Sequence, residues 1–193
     1  MPDAIDFSPR LKHAGIFVKD LEAMTEFYCK NFGMIVTDSG MGASGKNYTR
    51  RPGAFLSADP TEHHQLALIS GRDPEAPGTV AQISFLLDSL TALKAFYQHV
   101  LATGIPVEVI KNHGNAWSVY VNDPDGNFVE VYVHSPYYIP QPGSYPLDLD
   151  KSEQEILRET DEIAAKDPGA RPREEWIAEM AQKMEAAKVR LAH

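Results

Sequence analysis

The stretch Leu11-Lys-His-Ala-Gly-Ile-Phe-Val-Lys-Asp-Leu21 is echoed 69 residues later by Val80-Ala-Gln-Ile-Ser-Phe-Leu-Leu-Asp-Ser-Leu90, and Phe27-Tyr28 falls on Phe96-Tyr97 at the same offset. A chain that repeats its pattern at this spacing builds one supersecondary unit twice. Each copy opens with an apolar run of strand length. Apolar residues at helical spacing follow: Leu21, Met24, Phe27 and Tyr28, then Leu90, Leu93, Phe96 and Tyr97. Strand-like pieces come next, at Met34–Thr37, Ala54–Ala58 and Leu66–Ile69 in the first copy. Their counterparts in the second are Val107–Ile110, Ala116–Val121 and Phe128–Val133. The pattern is β-α-β-β-β, twice. The glycine-rich Ser39–Gly45, the Arg51-Pro52-Gly53 corner and Ser70–Gly78 read as loops.

Past His134 the character changes. Ser135–Pro146 holds four prolines and three tyrosines, too many prolines for a helix or a central strand. Ser152-Glu-Gln-Glu155 has the spacing of a capping box and predicts a helix to about Lys166. Asp167-Pro-Gly ends it, and a second helix runs from Pro172 to about Leu191. Its stripe of Trp176, Ile177, Met180 and Met184 reads as a packing surface. The expected class is therefore α+β: a domain over 1–135, with modules at about 8–70 and 79–135, and a two-helix extension over 136–193. The extension would dock on the core or on a second subunit.

Composition narrows the function. A net charge of −9 with no basic block argues against nucleic acid or an anionic membrane as partner. No apolar run approaches the roughly 20 residues of a membrane span, and the N-terminus lacks the basic start and apolar segment of a signal peptide. The one cysteine, Cys29, excludes an internal disulfide and fits a reducing compartment. Its place in a helical pattern reads as a buried structural thiol. The expectation is a soluble cytoplasmic protein.

Chemistry concentrates in a few places. Asp123-Pro-Asp-Gly-Asn127 is a strong turn signal. Pairing symmetric about Asp125 sets Tyr120 directly opposite Glu130, with Ser118 and Tyr132 on the same face. A carboxylate among Val, Phe and Tyr needs a strong partner, because burying an unpaired charge is costly. A metal is the partner that the rest of the chain suggests. His13 opens the first strand, where alternation puts it on one face with Gly15 and Phe17. The doublet His63-His64 precedes Leu-Ala-Leu, and alternation would send its two rings to opposite faces. His64 is the favoured ligand, with His63 left to solvent or a supporting role. His113-Gly114 lies just ahead of Tyr120, where a histidine in a glycine-containing loop can move and carry protons. His99, His134 and His193 read as structural or solvent-facing. Two imidazoles and a carboxylate suit Fe(II), or Mn(II), better than a thiolate-preferring metal.

With these residues in place, the chain resembles the vicinal oxygen chelate superfamily, which includes glyoxalase I, bleomycin-resistance proteins and type I extradiol ring-cleaving dioxygenases. The resemblance covers roughly residues 8–135 and is nearest to single-domain extradiol enzymes. It implies a curved mixed sheet around a metal site, with His13, His64 and Glu130 as ligands. It also implies Tyr120 as a hydrogen-bonding group for a bound diol and His113 as a proton carrier. The implied activity is O2-dependent meta-cleavage of a catechol-type aromatic diol, by a dimer or larger homo-oligomer. Phe17, Trp117 and Tyr132 would serve as pocket walls. Two other readings stay open: a glyoxalase-type lyase or isomerase using Gln82, which stands where His13 does in the first repeat, and a metal-free small-molecule-binding protein.

Overall fold

Both repeats fold as their periodicity predicts, and they share one strand order. A computed structural model describes residues 10–42, 50–76, 78 and 80–191; Ala43–Gly45 of the expected loop, and His193, lie outside these. The first repeat forms β1 (Ala14–Val18), α1 (Leu21–Phe32), β2 (Ile35–Met41), β3 (Pro52–Ser57) and β4 (Leu66–Ser70). The second forms β5 (Ile83–Leu86), α2 (Leu90–Thr103), β6 (Val107–Asn112), β7 (Ala116–Asn122) and β8 (Phe128–His134). One four-stranded sheet runs β1-β4-β3-β2 and the other β5-β8-β7-β6, so corresponding strands hold corresponding places. The chain divides into two compact units, one of Leu11–Ile83 with Val121–Val129, the other of Ser84–Tyr120 with Glu130–His193.

In the first unit, Ile16 and Val18 of β1 are buried with Leu56, Leu66 and Leu68, and with Met24 and Tyr28 of α1. Burying each large apolar side chain is worth about 1.5–3 kcal/mol. The Asp20 carboxylate caps α1 by accepting from Ala23 N at 3.0 Å. Gly33, at φ 65°, ends it in the left-handed conformation that glycine adopts without strain. Parts of two expected loops, Ser39–Met41 and Pro52–Gly53, are strand instead. Gly40 pairs with Gly53 and Met41 with Pro52, after a register shift between Val36 and Asp38. Pro52 is tolerated as the first residue of its strand. Gly53 packs so closely that a Cβ there would lie 3.1 Å from Leu68 O.

The β7–β8 turn has its own polar core. The Asp123 carboxylate is almost fully buried and accepts from Asp125 N at 3.0 Å, Asn127 N at 2.8 Å and Asn127 Nδ2 at 2.8 Å. A fourth donor, Tyr28 Oη, reaches it from α1 at 2.9 Å. Burial, and then the Asp123 charge, push the Tyr28 phenol far above its ordinary value. Asp125 accepts from Lys19 N at 2.9 Å and from Arg72 Nη1 at 3.3 Å.

In the second unit, Ser89 caps α2 and Gly104 ends it at φ 74°. The extension supplies α3 (Glu153–Lys166) with the expected capping box between Ser152 and Glu155. A short ribbon of β9 (Tyr137–Tyr138) and β10 (Arg171–Pro172) leads into α4 (Arg173–Leu191). Thr160 of α3 is fully buried and accepts from Trp117 Nε1 and Asn112 Nδ2, each at 3.0 Å. Thr160→Val would leave both buried N–H groups unpaired and is expected to cost about 2–4 kcal/mol, read from the urea midpoint. The α4 stripe is only partly covered. Trp176 stacks on Tyr138 at 5.1 Å, but Ile177 is 40% and Met184 64% exposed. Cys29 is a half-buried free thiol that burial pushes up in pKa. Among the described residues no helix is long and apolar enough to cross a membrane.

Candidate functional site

The histidines of the first unit meet because two strands start side by side. β1 and β4 run parallel with Ala14 opposite Leu66, and Ala14 N donates to Gln65 O at 3.1 Å. His13 directly precedes β1 and His64 lies two residues ahead of β4, so their rings pack with centroids 4.4 Å apart. Phe55 stands edge-on to His64 at 5.0 Å. Partial burial, and then charge on His13 and His63, hold the His64 imidazole below its usual pKa. That favours the neutral form a metal requires.

His63 does not turn to the opposite face. Its Nδ1 lies 3.0 Å from His64 Nδ1, and its Nε2 lies 3.5 Å from Asp38 Oδ2. Both histidines precede β4, so strand alternation does not act on them.

The carboxylate lies in the second unit, where Glu130 of β8 is 8% exposed. Its Oε1 accepts from Tyr120 Oη at 2.6 Å and from Ser118 Oγ at 2.8 Å, as the symmetry of the turn predicts. Its Oε2 accepts from Ser84 Oγ of β5 at 2.7 Å. Three hydroxyls thus offset the burial of this charge. Desolvation, and then the Glu130 hydrogen bond and charge, raise the Tyr120 phenol well above its ordinary value and keep it protonated.

Tyr120 Oη also lies 3.0 Å from His113 Nε2, and His113 Nδ1 lies 2.7 Å from Gly143 O. A carbonyl only accepts, so Nδ1 carries hydrogen. With the Tyr120 hydrogen on Glu130, an imidazolium Nε2 donates to Tyr120 Oη; in the neutral ring Nε2 accepts from Tyr120 only once its hydroxyl turns away from Glu130. Glu130, Tyr120 and His113 therefore form a line along which one proton can move by turning the Tyr120 hydroxyl.

The loop that carries His113 is tied by hydrogen bonds to the segment after β9. Gln141 Nε2 donates to His113 O at 2.9 Å, and Asn112 and Tyr145 exchange backbone bonds at 3.1 and 2.8 Å. The 139–145 segment is a strap across this loop, and a Cβ on Gly143 would come within 2.9 Å of His113 O. Sequence reasoning missed both Ser84 and the strap. Ser84 occupies in the second repeat the place Gly15 holds in the first, so the repeat offset alone marked it as changed.

Among the described residues, three or more His, Cys, Asp or Glu side chains are nowhere grouped as a metal cage. The structure brings His13 to His64 in one unit, and His113 and Tyr120 to Glu130 in the other. Each set fits a divalent metal in donor type: two close imidazoles, and a buried, hydroxyl-supported carboxylate. Of the expected walls, Phe17 is 45% exposed beneath the Arg51 guanidinium, Tyr132 is half-buried, and Trp117 is buried against α3.

Biphenyl-2,3-diol 1,2-dioxygenases 2 and 3 of Rhodococcus globerulus are 30% and 33% identical to this chain over 131 and 132 residues, 65% of it. The aligned stretch spans 63% and 64% of those enzymes. A glyoxylase/bleomycin resistance protein/dioxygenase domain from a Frankia species matches with a TM-score of 0.54 at 17% identity, covering 67% of this chain and 94% of that one. A variant of the fosfomycin resistance protein of Listeria monocytogenes, crystallised with Mn(II) and dihydroxypropylphosphonic acid, matches at 0.50 and 19%, covering 65% and 93%. At such identities these two likenesses are of fold. The model of the Glyoxalase/Bleomycin resistance protein/Dioxygenase superfamily matches residues 10–131, which hold His13, His64, Ser84, His113, Tyr120 and Glu130, and the chain belongs to that superfamily.

Proposed function

We propose that this protein is an Fe(II)-dependent extradiol dioxygenase that cleaves the ring of a catechol-type diol with O2. The observation that carries this reading is the Glu130–Tyr120–His113 line: a buried carboxylate bonded to a phenol that is itself bonded to an imidazole of fixed orientation. The two Rhodococcus diol dioxygenases, alike over this stretch, support it. His13, His64 and Glu130 would hold the metal, Fe(II) or, with the same donor preference, Mn(II). Bound there, iron would supply the electron transfer that lets O2 react with the diol.

The rest falls to the chain. Ser84 and Ser118 aim Glu130 and support its charge. Tyr120 Oη would hydrogen-bond a diol oxygen and relay the diol proton to His113 Nε2. The Gly143 carbonyl holds the imidazole in orientation while that nitrogen takes up and returns the proton.

The test is O2 uptake when catechols are added to protein loaded anaerobically with Fe(II). Uptake of about one O2 per catechol with a yellow ring-opened product, lost in His64→Ala, is the expected result. No uptake across a catechol panel by iron-loaded protein would remove the proposal. Tyr120→Phe is expected to lower kcat about a hundredfold at saturating iron, the size of a lost acid–base contribution.

A further inference from the structure

We propose that Gln141 is a positioning residue for His113. Its side-chain amide holds the strap so that the Gly143 carbonyl keeps His113 in the tautomer whose Nε2 is free to take a proton. The part this plays in turnover rests on the extradiol reading; the tautomer itself does not.

The tautomer is decided at one nitrogen. His113 Nε2 lies 3.0 Å from Tyr120 Oη, and a hydroxyl both donates and accepts, so this contact suits either neutral form of the ring. With the Tyr120 hydrogen on Glu130, it even favours a hydrogen on Nε2. Nδ1 lies 2.7 Å from Gly143 O, and a carbonyl only accepts. Of the two contacts, it is this one that demands a hydrogen on Nδ1 and leaves Nε2 with its lone pair toward Tyr120. A neutral ring with its hydrogen on Nε2 takes up no proton there, so moving the carbonyl away would remove the base.

The middle of the strap places that carbonyl. Its two ends are anchored separately. Ile139 is fully buried and packs so close to Gly114 that a Cβ there would lie 2.6 Å from Ile139 Cδ1. Tyr145 exchanges its two backbone bonds with Asn112. Between these anchors, Gln141 uses both ends of its amide. Nε2 donates to His113 O at 2.9 Å and to Ile139 O at 3.1 Å, while Oε1 accepts from Gly143 N at 2.9 Å. The partners fix which way the amide points, since carbonyls need an N–H and an N–H needs an oxygen. One exposed side chain thus clamps residue 113 to residue 143 through their backbones. The fit is close. A Cβ on Gly143 would also lie 3.3 Å from Gln141 Nε2, and Gly143 is not one of the positive-φ glycines, so it is the approach and not the backbone angle that calls for glycine.

Gln141→Glu is the sharpest test. It keeps the shape and the acceptor for Gly143 N, but a carboxylate donates nothing to His113 O or Ile139 O and sets its charge against both. Gln141→Met removes all three bonds without adding a charge, and Gly143→Ala pushes the strap off His113 from the other side. Long-range nitrogen–proton correlation NMR on the full metal-free chain reads the tautomer of the neutral ring, with His113 identified by the signals lost in His113→Gln. The parent should carry its hydrogen on Nδ1. In all three variants the ratio of the Nδ1–H to the Nε2–H form should fall about fivefold or more, the weight of one net hydrogen bond. An Nε2–H ring in the parent overturns the proposal, and so does an unchanged ratio in Gln141→Glu and Gln141→Met, whatever Gly143→Ala does. Loaded with Fe(II), Gln141→Glu should bind iron and melt as the parent does, while kcat on catechol falls by about the same factor and KM changes little. Unchanged kcat in a variant whose tautomer has shifted would remove Gln141 from turnover. If the parent turns over no catechol, the extradiol reading falls, and the metal-free tautomer ratio still decides what Gln141 does.

Discussion

Glu130→Gln, loaded with Fe(II), is expected to lose at least a hundredfold in iron affinity and to show no O2 uptake. The amide keeps the shape of the carboxylate but removes the charge, and even supporting groups around a metal cost about 10–100-fold when replaced. The fold should survive, because the Ser84, Ser118 and Tyr120 hydroxyls that now donate to Glu130 can each rotate to accept. A second reading comes from pH. The Glu130 hydrogen bond and charge both hold the Tyr120 phenol up, so in Glu130→Gln it should ionise at lower pH than in the parent. Ultraviolet titration of tyrosinate measures this without any metal. Iron affinity left intact would remove Glu130 from the ligand set. An unmoved tyrosine titration would break the Tyr120–Glu130 link.

The largest stability loss is expected at Asp123. Replacing it by Ala leaves Tyr28 Oη, the Asp125 and Asn127 backbone N–H groups and the Asn127 amide without their common acceptor. Each buried donor left unsatisfied costs about 1–3 kcal/mol. Allowing for relaxation and non-additivity, Asp123→Ala should lose about 4 kcal/mol, or roughly 10 °C in Tm for a chain of this size. Tyr28→Phe, which removes one of the four donors, should cost about 1–2 kcal/mol. The double variant should be little worse than Asp123→Ala, since the two groups share one interaction. Urea unfolding of the four proteins checks this. An Asp123→Ala loss below about 1 kcal/mol would mean that the turn is organised by something else.

The elements most legible in the sequence were those fixed by local pattern. The 69-residue offset foretold the doubled βαβββ pattern, because each repeat carries its own periodicity and turns, and the structure forms the repeats as two four-stranded sheets of matching strand order where one curved sheet was expected. Tyr120 and Glu130 could be paired on paper because a tight turn fixes the register of its two stems. Where spacing misled, a pairing across the sheet had overruled local punctuation. Pro52 and Gly53 read as a corner, yet they pair with Met41 and Gly40. Strand alternation was extended back to the His63-His64 doublet, but the strand begins only at Leu66, so the two rings meet instead of diverging. Ser84 was missed because β5 and β8 are neighbours in space and 42 residues apart in sequence, from Leu86 to Phe128.

The strap over His113 also decides how this protein can diversify. Residues 139–145 lie beyond Val131, where the superfamily match ends, yet Gly143 O is what orients the His113 ring. A gene fragment ending at that boundary would still encode His13, His64 and Glu130 but not the carbonyl that holds the imidazole in place. The proposed metal ligands and the carbonyl that orients His113 are thus written in different segments of the gene. Relatives exchanging only their C-terminal segments would keep the one and retune the other, leaving the duplicated core untouched.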